Sequence, residues 1–212
     1  ECETAYDTAK GVECYERLKG KDGGASGFDT QSTGITFAVT DKAPGDKVPV
    51  VTPGYGLSQS VDGKVFEWNF PLLGNYWTAA DSIVQDILKK EKGNLKGKKI
   101  ALVYHDSPFG KEPIPLLQER AKMHGFDLQL LPVAHPGVEQ KATWLQIRRD
   151  RPDRREQGSF VAATTEHRPE DGTGDIGLLR QVTAKMGDPL KARKRVLTFS
   201  YIGCAAMALW LN

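Results

Sequence analysis

Read for apolar and polar positions, the chain alternates between short apolar runs and amphipathic stretches, and the clearest unit lies between Lys98 and Val133. Ile100-Ala101-Leu102-Val103-Tyr104 is a continuous apolar run that breaks off at the polar turn His105 to Gly110. The stretch that follows carries Pro113 and Pro115 near its start, where missing N–H groups cost a helix little. Gly125 stands where a helix C-terminus favours a left-handed residue, and Phe126 to Val133 is a second apolar run. Strand, loop, helix and strand in that order predict a βαβ unit of a parallel sheet. Open α/β sheets bind ligands outside the carboxyl ends of their strands, so His105 to Gly110 falls on a candidate binding rim.

The rest of the chain extends the pattern. Tyr6, Ala9, Val12, Tyr15 and Leu18 recur at helical spacing and predict a helix over residues 4–19, stopped by Gly20. A Gly-rich turn from Lys21 to Gly27 leads to a polar loop and a helix opening at Ser32-Thr33-Gly34. Lys47 to Thr52 and Val65 to Phe70 predict strands, the first ending at Pro53-Gly54-Tyr55-Gly56. Pro71 to Asn75 reads as a connector and residues 76–90 as a helix. Beyond Val133 the spacing predicts a helix over 138–149 that buries Val138, Ala142 and Leu145, with Trp144 as a further candidate. Regularity stops at Arg151, and a weak strand, Phe160 to Thr164, appears late. The expectation is an α/β protein with one parallel sheet or two.

Composition narrows the function classes. A length of 212 residues fits one large or two small domains, and 39% hydrophobic with 26% charged residues is ordinary for a globular protein. The net charge of +2 gives no argument for a nucleic-acid partner. The basic cluster Arg148-Arg149-Asp150-Arg151 is interleaved with Asp150, Asp153 and Glu156, as on a solvated face. The three cysteines, Cys2, Cys14 and Cys204, are too few and odd in number for a disulfide scaffold. On a helix rising about 1.5 Å per residue, Cys2 and Cys14 are expected to lie too far apart to pair. Each is read as a small buried hydrophobe, or as a cysteine that has lost its partner. No signal peptide is visible at Glu1, and Val196 to Leu211, slightly short for a membrane span, is read as a buried strand and helix.

Short motifs carry little chemistry. Gly172-Thr173-Gly174-Asp175-Ile176-Gly177 has GxGxxG spacing, yet no strand directly precedes it, and Asp171 and Asp175 would repel a pyrophosphate. The four histidines, His105, His124, His135 and His167, show no metal-ligand spacing. Neither Ser32 nor Ser107 sits in a nucleophile elbow. The stronger constellation is three loops at predicted strand ends: residues 31–36, 53–56 and 105–110. In the first, hydroxyls stand where a helix begins, which suits a carboxylate ligand and equally suits a simple helix cap. Tyr55 fits a pocket wall or a turn, and Tyr76 and Phe109 fit pocket walls or core packing.

Several ordered stretches resemble one family. Glu1-Cys2-Glu3-Thr4 with Gly11 to Lys19, Ser32 to Thr36, Thr52 to Gly56, Ala101 to Pro108, and Val138 to Arg149 are similar to type I periplasmic solute-binding proteins. The nearest group is the substrate-binding proteins of branched-chain amino acid ABC transporters, and the likeness continues to about Asp153. The resemblance implies two parallel-sheet α/β lobes around a ligand cleft that closes by a hinge, a type of transition for which periplasmic binding proteins are a standing example. It implies non-catalytic capture of a small amino acid or amide, delivery to ABC permease subunits, a periplasmic location and no cofactor. Ser32 and Thr33 would hold a carboxylate, and Gly54, Tyr55 and Gly56 would line the same wall. Tyr76, His105, Asp106 and Phe109 would come from the second lobe, with Phe109 where many relatives carry Tyr. Residues 1–72 would form a partial first lobe lacking its first strand and helix, 73–153 the start of the second lobe, and 154–212 a divergent tail. An interior fragment of this kind would bind weakly or not at all. A ligand-sensing regulator on the same fold is the alternative.

Overall fold

The apolar run at the centre of the chain forms β4 (Lys99–His105), a strand buried at Ile100 through Val103 and again at His105. In the computed structural model, residues 1–134, 137, 139–149, 159–164 and 195–199 are described. β4 pairs in parallel with β5 (Asp127–Val133) on one side, from Lys99 opposite Asp127 to His105 opposite Val133. On its other side it pairs in parallel with β6 (Ser159–Thr164), and β6 pairs with β7 (Arg195–Phe199). The sheet order is β5-β4-β6-β7. A strand with neighbours on both edges in a parallel sheet is apolar along its length, which is why β4 reads as an unbroken run.

The connection between β4 and β5 follows its sequence signals. α5 (Pro108–Lys111) is a single turn capped by Ser107, and α6 (Ile114–His124) ends at Gly125 with φ 72° and ψ 26°. There the Gly125 N–H donates to the Ala121 carbonyl, while the Gly125 carbonyl accepts from the Gly97 N–H at 2.9 Å. Ala101, Val103, Leu131 and Val133 form a core cluster against which Ile147 of α7 (Lys141–Arg149) packs. Two expectations for that last helix fail: Ala142 is exposed and Leu145 is 51% exposed. The helix begins at Lys141, and Ile147 rather than Ala142 or Leu145 meets the sheet's core cluster. The side chains of Val138 and Trp144, His135 and His167, residues 172–177, and residues 200–211 lie outside the described residues.

The chain divides into two compact units, Glu1–Ala79 and Ala80–Asn212. The first holds a three-stranded parallel sheet, β1 (Phe28–Asp29), β2 (Val50–Thr52) and β3 (Asn69–Pro71), in that spatial order. α1 (Thr8–Leu18), α2 (Thr33–Thr40) and α3 (Ala43–Asp46) accompany it. Tyr15, Ile35, Val39, Ala43, Val48 and Val50 make the core, with Phe28 and Trp68 packed against it. The Tyr15 hydroxyl donates to Asp46 at 3.0 Å, its ring meets Phe28 edge-on at 5.0 Å, and Lys19 pairs with both Asp46 and Glu16. Gly11 of α1 lies directly on α2: a Cβ built there would fall 2.4 Å from Cδ1 of Ile35.

Two local expectations are corrected. Cys2 and Cys14 are joined in a disulfide with Cα atoms 5.9 Å apart. A helix reaching back to residue 4 would keep the two apart. It starts at Thr8, capped by Asp7, and Ala5 and Tyr6 adopt positive φ, so the chain folds back and brings Cys2 over the second turn of α1. Residues 65–68 do not extend as a strand either. The N–H groups of Val65 and Phe66 donate to the Asp62 carbonyl and that of Lys64 to the Asp62 side chain, so local bonds at Asp62 hold a turn. Pairing begins only at Asn69, and Val61, Val65, Phe70, Leu72 and Leu73 are left exposed.

Candidate functional site

Because β1 and β2 are parallel neighbours, the loops that leave their carboxyl ends lie side by side in the first unit. Ser32, the N-cap of α2, accepts the Ile35 N–H on its hydroxyl at 3.3 Å and the Thr36 N–H on its carbonyl at 2.9 Å. Thr36 Oγ1 donates to the same carbonyl at 2.9 Å and lies 2.5 Å from Thr30 Oγ1. The cap reading of Ser32 is therefore realised. Thr33 is different: it is 1% exposed, and its hydroxyl has no hydrogen-bond partner among the described residues. Thr52, at the end of β2, is likewise buried with an unpartnered hydroxyl. Orphan buried hydroxyls are costly, and the Thr33 hydroxyl in the first turn of a helix, at its positive dipole end, suits an acceptor such as a carboxylate.

The second loop is built around Tyr55, which is 5% exposed. Its hydroxyl accepts the Gln31 N–H at 2.9 Å, donates to the Asp29 carboxylate, and lies 3.2 Å from Thr30 Oγ1. Burial, and next the Asp29 carboxylate, push the phenol well above its ordinary value, so it stays a protonated donor. Gly54 has φ 141°, a conformation suited to glycine, and Gly56 is buried beyond the tyrosine. Tyr55 thus ties one loop to the other by its hydroxyl. Asp29 and Thr30 complete this network, and neither they nor the buried Thr52 stand out in the sequence as site residues. The only signal for Thr52 was its place at a strand end, directly before Pro53.

Tyr76 is the first residue of α4 (Tyr76–Lys90), is 6% exposed, and belongs to the first unit. Asn75 precedes it and accepts the Thr78 N–H at 2.9 Å.

In the second unit the loop after β4 has a different character. His105 is 1% exposed and shares a 2.7 Å hydrogen bond between Nδ1 and Ser107 Oγ. Phe109 is 2% exposed, an interior residue of the βα turn. Gly110 packs onto the strand end so tightly that a Cβ there would stand 2.0 Å from the His105 carbonyl oxygen. Asp106 is exposed and pairs with Lys111 Nζ at 2.6 Å, which holds the lysine above its usual pKa. Among the described residues no cluster of His, Cys, Asp and Glu could hold a metal ion, and no helix is long and apolar enough to cross a membrane.

Parallel α/β units whose strand ends carry a hydroxyl-lined helix start define a fold class that holds small solutes at its rims. The chain belongs to the periplasmic binding protein family, whose model matches residues 1–166 and so runs past Asp153 to take in β6. Among solved structures, it is 36% identical to a protein of the Pseudomonas fluorescens group described as an ABC transporter permease (TM-score 0.70; 93% of this chain and 45% of that one covered). It shares its fold with a branched-chain amino acid ABC transporter protein from Thermus thermophilus with bound valine (17% identity, TM-score 0.71, 94% and 47% covered). The same holds for an R. palustris solute-binding protein in complex with benzoate (15% identity, TM-score 0.71, 97% and 52% covered). The chain spans about half the length of these structures. No curated protein matches it.

Proposed function

We propose that the chain is the ligand-gripping part of a periplasmic substrate-binding component of an ABC importer, and that it takes a small amino acid of the branched-chain type, or a comparable amide, without catalysis. The observation that carries this reading is the buried Thr33 hydroxyl at the N-terminus of α2, which has no hydrogen-bond partner among the described residues. A carboxylate or amide oxygen docked there accepts from a hydroxyl and from the first N–H groups of the helix. Valine and benzoate, the ligands of two structural relatives, share a carboxylate and differ in everything else, which supports head-group recognition as the common element. In this reading Gly54 and Gly56 line the wall and Tyr76 flanks it. The disulfide Cys2–Cys14 supports an oxidising compartment such as the periplasm, and the partner is a membrane permease.

Isothermal titration of the 212-residue chain with leucine, isoleucine, valine, short amides and urea tests the proposal. Saturable binding of at least one is expected, weakened about tenfold by Thr33→Val, since a hydrogen bond to a charged group contributes about 1.5–3 kcal/mol. Absence of binding by every compound at millimolar concentration, or an affinity untouched by Thr33→Val, would sink it.

A further inference from the structure

Gln31 joins β1 to α2 with φ 50°, in the left-handed region that a residue with a side chain occupies at a cost. Nothing in its own side chain favours that conformation in the way Asn or Gly would. Its surroundings hold it there instead. The Gln31 N–H is shared between the Tyr55 hydroxyl at 2.9 Å and Asp29 Oδ1 at 3.2 Å, and the side-chain amide donates to the other Asp29 oxygen. Tyr55 in turn donates to Asp29 and contacts Thr30. These bonds tie Gln31 to Asp29 and to the neighbouring loop, and Thr30 Oγ1 ties the same turn to the Ser32 carbonyl at 3.1 Å and to Thr36 Oγ1 at 2.5 Å. The direction in which α2 starts is therefore set in large part by residues that precede the helix and by the loop after β2.

We propose that Gln31 is the strained pivot of the ligand site and that Tyr55 is the latch that holds it, a positioning residue acting through the Gln31 backbone. With the latch closed, Ser32 stands where its hydroxyl caps Ile35 and its carbonyl receives Thr36, and Thr33 is presented at the strand ends. With the latch open, Gln31 relaxes to a negative φ, the chain leaves β1 in another direction, and the first turn of α2 loses its place. The site is thus assembled by the loop after β2 rather than by the helix that supplies its donors. This rests on the reading of the α2 N-terminus as the ligand site, but the latch is measurable without any ligand.

The experiment is residue-resolved amide hydrogen exchange on the 212-residue chain and three variants: Tyr55→Phe, Gln31→Gly and the double variant. Tyr55→Phe keeps the ring and removes the hydroxyl. It is expected to speed exchange at Ile35 and Thr36 about tenfold, the scale set by the left-handed penalty, with the β4 amides unchanged. Gln31→Gly in the same chain removes the penalty, and the double variant is expected to recover most of the protection. Unchanged exchange at Ile35 and Thr36 in Tyr55→Phe overturns the latch. Faster exchange across α1, α2 and β2 alike also overturns it, because Tyr55 is then a general core residue. Failure of Gln31→Gly to rescue overturns the pivot. Titration of the same variants with leucine, isoleucine, valine, short amides and urea is read separately: loss of latch behaviour with binding intact refutes this inference alone, and a working latch with no binding of any of these compounds refutes the functional reading alone.

Discussion

Replacing Gly11 by Ala sets two well-measured effects against each other. Gly11 lies within α1, where alanine should stabilise the helix by about 0.5–1 kcal/mol through reduced unfolded-state freedom and better propensity. The added methyl, however, would sit 2.4 Å from Cδ1, 2.5 Å from Cγ1 and 2.8 Å from Cγ2 of Ile35. Three atoms of one branched side chain are involved, so the clash is not with a flexible tip, and Ile35 is 1% exposed with no solvent to move into. Overpacking a filled core costs about 1–3 kcal/mol. The clash is expected to win, with a net loss of about 1–2 kcal/mol for Gly11→Ala. The assay is urea unfolding, in which Trp68 reports on the core that contains Ile35. In an Ile35→Ala background, where the clashing atoms are gone, the same substitution is expected to raise the midpoint, a sign reversal that a double-mutant cycle reads directly. A higher midpoint for Gly11→Ala in the parent chain, or equal shifts in both backgrounds, would refute the close approach of α1 to α2.

Two further outcomes follow from the first unit. Reducing the Cys2–Cys14 disulfide, or replacing both residues by Ala, is expected to lower stability by about 2–3 kcal/mol, the loop-entropy scale for a short closed loop; an unchanged midpoint in dithiothreitol would count against the pairing. Stability should also decline at both pH extremes. Asp46 and Glu16 are held below the usual carboxylate range, chiefly by Lys19, so what they contribute is present above that range and disappears as pH falls. Burial, followed by the bond to Asp46, pushes Tyr15 up to about 12, so its contribution is intact below pH 10 and is lost between 10 and 12. Tyr15→Phe should flatten the alkaline limb of the urea midpoint; an identical limb in the variant would show that Tyr15 has no part in it.

How much of this could be read from sequence depends on how local each cause is. β4, α6 and β5 were legible because apolar runs, prolines and Gly125 act within a few residues. Ser32 was legible as a helix start for the same reason. The Cys2–Cys14 bridge was not, because the fold-back at Ala5 and Tyr6 leaves no compositional trace in residues that prefer negative φ. The turn at Asp62 suppressed a strand that β-branched and aromatic residues suggested. The role of the Tyr55 hydroxyl was out of reach in principle, since Asp29 and Gln31 become its partners only after β1 and β2 have paired. Ala142 and Leu145 were misjudged because the apolar stripe was phased on Val138, whereas the sheet meets α7 at Ile147.

The exposed residues around β3 have a practical side. β3 ends the described three-stranded sheet, so one row of its backbone donors and acceptors lacks a strand partner there, and Phe70, Leu72 and Leu73 stand in the open beside it with Val65 nearby. Unpaired strand edges flanked by aliphatic side chains template contacts between molecules. With a net charge of only +2, the chain has little electrostatic repulsion to keep copies apart. This flank therefore favours association between copies, and a charged residue at Leu73 is expected to weaken that association.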